Sequence, residues 1–138
     1  MTEALKYSVS RLIGFCYGHR LLDYSGKCRN LHGHNGMIEI TLSRSKLNTL
    51  GMVMDFEDIK STVQRWVDAE LDHKLILCER DPMLEDIRKH GQPVVTLKDN
   101  PTAENIARLI FDHAKTQKLP VTSVKLWETP NSYAACGD

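Results

Sequence analysis

The run Cys28-Arg29-Asn30-Leu31-His32-Gly33-His34 restricts the fold of this chain more than any other, because it sets a thiol four residues before an alternating pair of imidazoles. Side chains at i and i+2 leave the same face of an extended backbone, so His32 and His34 converge on one metal ion if this stretch is a strand. Gly33 keeps the approach uncrowded. Imidazole suits zinc, copper, iron and nickel, and three protein ligands with one open position is the arrangement of a catalytic zinc site. An isolated His-x-His pair is common by chance, so a third ligand has to come from elsewhere. His19, at the end of a strand-like segment upstream, is the candidate, and Cys28 lies in the connection between them.

The flanking pattern supports that geometry. From Tyr7 to Phe15, Tyr7, Val9, Ile13 and Phe15 share one parity while Ser8 and Ser10 share the other, and His19 continues the parity of Phe15. His34 to Ser43 reads as a second strand in which Ile38, Ile40 and Leu42 alternate with Met37, Glu39 and Thr41. The polar, glycine-bearing stretch from Asp23 to Asn30 joins them. Antiparallel pairing then carries His19, leaving the first strand, to His32 and His34, entering the second.

Asp55 is placed to cap a helix whose buried stripe is Phe56, Ile59, Val63, Trp66, Val67 and Leu71, ending near Leu71-Asp72-His73. Residues 74–99 carry broken patterns: Pro82 and Gly91-Gln92-Pro93 interrupt, Met83 to Lys89 fits a short helix, and Val94 to Leu97 a short extended piece. Asn100-Pro101-Thr102 starts a second long helix with Ile106, Leu109, Ile110 and His113 on its stripe, and Pro120 stops it. Val121 to Glu128 forms a third strand and Tyr133 to Cys136 a short fourth. The order is strand, strand, helix, helix, strand, strand.

A chain of 138 residues fits a single domain, here taken as 1–138. Eighteen basic residues balance eighteen acidic ones without runs of like charge, which argues against a nucleic-acid or membrane-surface partner. Met1 to Tyr7 lacks the pattern of a secretory signal and no apolar stretch reaches membrane-spanning length, so a cytoplasmic location is expected. The four cysteines, at 16, 28, 78 and 136, are too scattered for a disulfide framework.

Three further features bear chemistry and each also has a purely structural explanation. In Asp72-His73 the carboxylate can orient the imidazole and hold a proton on it, or His73 simply meets the helix dipole. Glu128 lies on the apolar parity of its strand, where burial demands a cationic or hydrogen-bond-donating partner, or it ends the strand in water. Thr102 and Glu104 begin the second long helix, where capping and dipole compensation account for both.

Taken together, Phe15-Cys16-Tyr17-Gly18-His19, Cys28-x-x-x-His32-Gly33-His34, Asp55-Phe56, Leu71-Asp72-His73, Asn100-Pro101-Thr102-Ala103-Glu104-Asn105 and Trp127-Glu128-Thr129-Pro130 resemble the 6-pyruvoyltetrahydropterin synthase superfamily, from about Tyr7 to Tyr133. The three-residue gap between Cys28 and His32 is similar to the bacterial 6-carboxytetrahydropterin synthases of queuosine biosynthesis; mammalian-type pyruvoyl enzymes have a longer gap. Two departures stand out. Gly18 replaces the alanine or serine usual before the first histidine, and Ile76-Leu77 replaces the leucine and asparagine common after Asp-His.

The resemblance implies an α+β tunnelling fold, a four-stranded antiparallel sheet with two helices packed on one face, assembled as trimers or dimers of trimers with sites at subunit interfaces. It implies conversion of 7,8-dihydroneopterin triphosphate to 6-carboxy-5,6,7,8-tetrahydropterin, acetaldehyde and triphosphate by a zinc lyase. His19, His32 and His34 would hold Zn2+, Cys28 act as general base, Asp72 and His73 pass protons, and Glu128 anchor the pterin. Thr102 and Glu104 match substrate-contacting positions, and Arg20, Lys27 and Arg29 flank the site as candidates for the triphosphate. Two alternatives stay open: 6-pyruvoyltetrahydropterin synthesis, and a non-catalytic zinc module in which Cys28 completes a Cys-His-His-His tetrahedron.

Overall fold

The computed structural model describes residues 5–138, so the reading of Met1 to Tyr7 falls largely outside the described residues. Alternation in the first forty-odd residues becomes a long antiparallel hairpin of β1 (Tyr7–His19) and β2 (His32–Arg44). Thirteen consecutive pairs run from Tyr7 opposite Arg44 to His19 opposite His32. Opposite residues share a face, so Ile13, Phe15, Tyr17 and His19 stand over the same side of the sheet as Ile38, Gly36, His34 and His32. That side is the core side: Ile13, Ile38, Ile40 and Leu42 have no exposed surface.

The chain then crosses the core face as a helical segment in three pieces, α1 (Phe56–Ile59), a π-helical turn (Lys60–Gln64) and α2 (Arg65–Glu70). Asp55 caps it by accepting from the Glu57 N–H. Ile59, Val63, Val67 and Leu71 bury against the sheet, while Phe56, expected on that stripe, is 49% exposed at the first turn. β3 (Lys74–Cys78) follows and lies parallel to the end of β1; α3 (Leu84–Lys89) and β4 (Val94–Leu97) come next, β4 parallel to β3. α4 (Ala103–Thr116) buries Ile106, Ala107, Ile110 and Phe111 and leads to β5 (Val121–Thr129) and β6 (Ser132–Gly137). β5 pairs with β2 and β6 with β5, both antiparallel.

The strand order is β4-β3-β1-β2-β5-β6, a mixed six-stranded sheet. This corrects the expected four-stranded antiparallel sheet. Ile76, Leu77 and Cys78 are fully buried, so β3 is covered on both faces and reads as a continuous apolar run, the habit of parallel strands. Ile76 joins the main core, whereas Leu77 packs with Leu84 and Ile87 of α3 in a separate cluster. Covering by helices is therefore not confined to one face. A Cβ on Gly18 would come within 2.7 Å of Leu75 Cδ2 on β3, the movable end of a side chain that would have to shift to admit it.

Candidate active site

The hairpin register alone brings three imidazoles together. Ligating atoms of His19, His32 and His34 lie within 4.8 Å of one another, His19 buried and the other two half-buried. His19 Nδ1 bonds to the Pro101 carbonyl oxygen at 2.7 Å, and His32 Nδ1 bonds to the Asn30 carbonyl at 2.7 Å. A carbonyl only accepts, so each Nδ1 carries the proton and each Nε2 offers a bare lone pair; the same bonds fix the ring orientations.

His19 and His34 point their Nε2 atoms at each other across 3.2 Å. A tetrahedral zinc with bonds of about 2.05 Å sets its ligand nitrogens about 3.3 Å apart, so this spacing fits the group. Burial is the main influence pushing the His19 imidazolium down, reinforced by His32 and His34 and opposed by the Pro101 carbonyl and Glu128. The neutral ring is the form that ligates.

Glu128 reaches the same centre from β5. It sits where the β5–β6 pairing shifts between Trp127 and Thr129, an irregularity of the kind that re-aims a side chain. Its Oε1 is 3.7 Å from His19 Nε2 and its Oε2 is 3.8 Å from His34 Nε2, proximity without hydrogen bonding. The donor partner that its parity demanded is Tyr17, whose hydroxyl donates to Oε1 at 2.9 Å. Burial above all, then the Glu128 charge, pushes the Tyr17 phenol well above its ordinary range, so it stays protonated and donating. Glu104 and Glu128 line one cleft of about 320 Å³ with Thr129, Ser132 and Tyr133.

The other expected residues are placed as follows. Cys28 is half-buried in a 3-10 turn (Lys27–Arg29) and its carbonyl accepts from the Leu21 N–H at 2.9 Å; its thiol is not part of the histidine group. Asp72 and His73 do touch: His73 takes a left-handed backbone (φ 60°), which lets its Nδ1 bond Asp72 Oδ2 at 2.7 Å. The Cys16 N–H, donating to Asp72 Oδ1 at 2.8 Å, is the chief cause holding the Asp72 carboxyl below the usual range. His73 lines an open cleft of about 620 Å³ together with Tyr17, Leu31, His32 and His34. Among the described residues, no hydrogen bond or ion pair joins Cys28 or the Asp72–His73 pair to the three histidines.

Thr102 caps α4 by accepting from the Asn105 N–H at 3.1 Å. Arg20 does not stand free for an anion: its Nε donates to Asp81 Oδ2 at 2.8 Å and a second nitrogen reaches Oδ1, a fork on a carboxylate with no exposed side-chain surface. Sequence reasoning missed Tyr17, although its shared parity with His19 was the available signal. It also missed Asn100, whose side chain bonds both backbone groups of Leu22 at 2.9 Å and ties the Cys28 connection to the start of α4.

Solved structures share this architecture. A structure of an uncharacterized protein from Wolinella succinogenes aligns with TM-score 0.81 at 26% identity, covering 97% of this chain and 99% of that one. The Caenorhabditis elegans 6-pyruvoyl tetrahydropterin synthase aligns with TM-score 0.72 at 24% identity, covering 100% and 99%. The fold is that of the pterin synthases. The family model described as 6-pyruvoyl tetrahydropterin synthase matches residues 8–138, and the chain belongs to that family. Curated relatives include 6-carboxy-5,6,7,8-tetrahydropterin synthases of Rickettsia bellii, 44% identical over 131 residues with 90% of this chain and 95% of that one covered, and of Aquifex aeolicus, 30% identical over 158 residues with 94% and 97% covered.

Proposed function

We propose that this chain is a zinc-dependent lyase that converts 7,8-dihydroneopterin triphosphate to 6-carboxy-5,6,7,8-tetrahydropterin, acetaldehyde and triphosphate, as a step of queuosine biosynthesis. The observation that carries the reading is the histidine group facing a carboxylate on one sheet face, in a chain 44% identical to a relative of that name.

His19, His32 and His34 would hold the zinc ion, which would supply Lewis acidity toward the two hydroxyls of the substrate side chain. Glu128 accepts paired hydrogen bonds from the amino group and ring nitrogen of the pterin. Cys28 acts as general base at the side-chain carbon, and His73, held in orientation by Asp72, passes the proton on. Glu104 and Thr102 help to fix the pterin. Lys27 and Arg29 remain for the triphosphate, since Asp81 engages Arg20. The chain works as a cytoplasmic trimer or dimer of trimers, which would cover its edge strands β4 and β6. Among the described residues no helix is long and apolar enough to cross a membrane.

Of the alternatives, pyruvoyl synthesis is disfavoured by the short Cys28 to His32 spacing, and the structural zinc module by a cysteine that stands outside the ligand group. The test is anaerobic incubation of the zinc-loaded protein with dihydroneopterin triphosphate, followed by mass analysis of the pterin and an acetaldehyde assay. Carboxytetrahydropterin with equimolar acetaldehyde is expected. A pyruvoyl product without acetaldehyde would select the other synthase, and no turnover would reject both.

A further inference from the structure

Tyr17 takes no part in the chemistry above, yet it is built tightly into the site. It lies opposite His34 in the hairpin register and is 4% exposed. Its ring stacks on Phe15 at a centroid distance of 4.9 Å and meets the rings of His19 and His34 at 5.2 and 5.5 Å. Space for the stack comes from Gly36: a Cβ there would fall 2.9 Å from Tyr17 Cε1 and 3.1 Å from Phe15 Cε1.

A phenol buried this deeply needs a hydrogen-bond partner, and Glu128 Oε1 at 2.9 Å provides it. Among the described residues Glu128 has no other hydrogen-bond partner. Its oxygens stop 3.7 and 3.8 Å short of His19 and His34, and Oε2 accepts no hydrogen bond among the described residues. A carboxylate on a flexible side chain beside three imidazoles could turn either onto a bound cation or toward a ligand in the cleft.

We infer that Tyr17 is a positioning residue that selects between these two orientations: by anchoring one lone pair of Oε1 it keeps the Glu128 carboxylate off a metal held by the histidines and leaves Oε2 and the second lone pair of Oε1 open to the donor edge of a bound heterocycle. The identity of that heterocycle rests on the proposed function; the anchoring does not. The Tyr17 hydroxyl acts only through Glu128, so its removal should weaken binding more than turnover.

The test is Tyr17→Phe in the full-length, zinc-loaded protein, which keeps the ring stack and deletes the donor. KM for dihydroneopterin triphosphate should rise about tenfold, the scale of one hydrogen bond to a charged group. The kcat should change less than about threefold, and zinc content should not change. In the variant's crystal structure the Glu128 carboxylate should have left its present pose. An unchanged KM, a fall in kcat alone, or loss of zinc overturns the inference. If the parent protein does not turn this substrate over, the proposed function fails, and the crystal structure still decides: an unmoved Glu128 overturns the anchoring role and a displaced one supports it. Should Tyr17→Phe not fold, Gly36→Ala pushes the ring aside instead and is read by the same measurements.

Discussion

The β1–β2 hairpin and the β3–α3–β4 unit are neighbours in one sheet, but they do different work. The hairpin pairs over thirteen residues and delivers all three histidines. The parallel unit touches β1 through only three pairs, Tyr17 to His19 against Lys74 to Ile76, and contributes Asp81, which binds Arg20 immediately beyond His19. One region holds the grouped histidines. The other braces the end of the strand that carries one of them. The lesson is that damage in the hairpin should appear as lost chemistry, and damage in the parallel unit as lost stability.

His32→Ala should have the largest effect, removing zinc and lowering turnover more than about a thousandfold, the scale of several kcal/mol of metal-derived stabilisation. Metal analysis alongside steady-state kinetics checks it, and a zinc-replete, active variant would take His32 out of the ligand set. Cys28→Ala should cut turnover by about a hundredfold to ten-thousandfold, the range for a lost general base, while zinc and folding stay intact. Zinc lost together with activity would favour the structural module instead.

Asp81→Asn tests the other side of the contrast. Leaving Arg20 without its carboxylate should cost about 3 kcal/mol of unfolding free energy with zinc content retained, as read by urea denaturation. The Arg20 hydrogen bond is the main cause holding the Asp81 carboxyl below its ordinary range, partly opposed by burial. Its contribution is therefore complete above the usual aspartate value near about 3.9 and fades as pH falls through the lower folded value. The gap between parent and variant should narrow in acid; a gap constant down to about pH 2 would remove the pair from the account. Thr102→Ala should be mildest, costing about 1 kcal/mol through the lost α4 cap. A rise in KM beyond that stability change would place the hydroxyl on the substrate.

Legibility followed burial. β1 and β2 each bury one face, so their alternation showed, and with it the common side of His19, His32 and His34. Ile76 to Cys78 is covered on both faces, and the apolar run from Leu75 to Cys78 carries no period from which to read a partner. β3 went unassigned for that reason, whereas β4 matches the short extended piece expected over Val94 to Leu97, and only its parallel pairing with β3 came as new. Asp72-His73 was recognised as a pair, but only the left-handed backbone at His73 shows how neighbours in sequence can face each other.

What the amino-acid sequence determined by itself was local. The hairpin, the histidine group and the caps at Asp55 and Thr102 each depend on residues close along the chain or on a two-residue period, where the entropy of closure is small. The tertiary structure alone decided the contacts that span it. Pro101, 82 positions from His19, supplies the carbonyl that orients that ring, and Glu128, 111 positions from Tyr17, accepts its phenol. No spacing rule links such residues. They meet because β5 pairs with β2 in the sheet and α4 packs its apolar face over β5 and β6, and that burial carries Glu128 and Pro101 to the histidines.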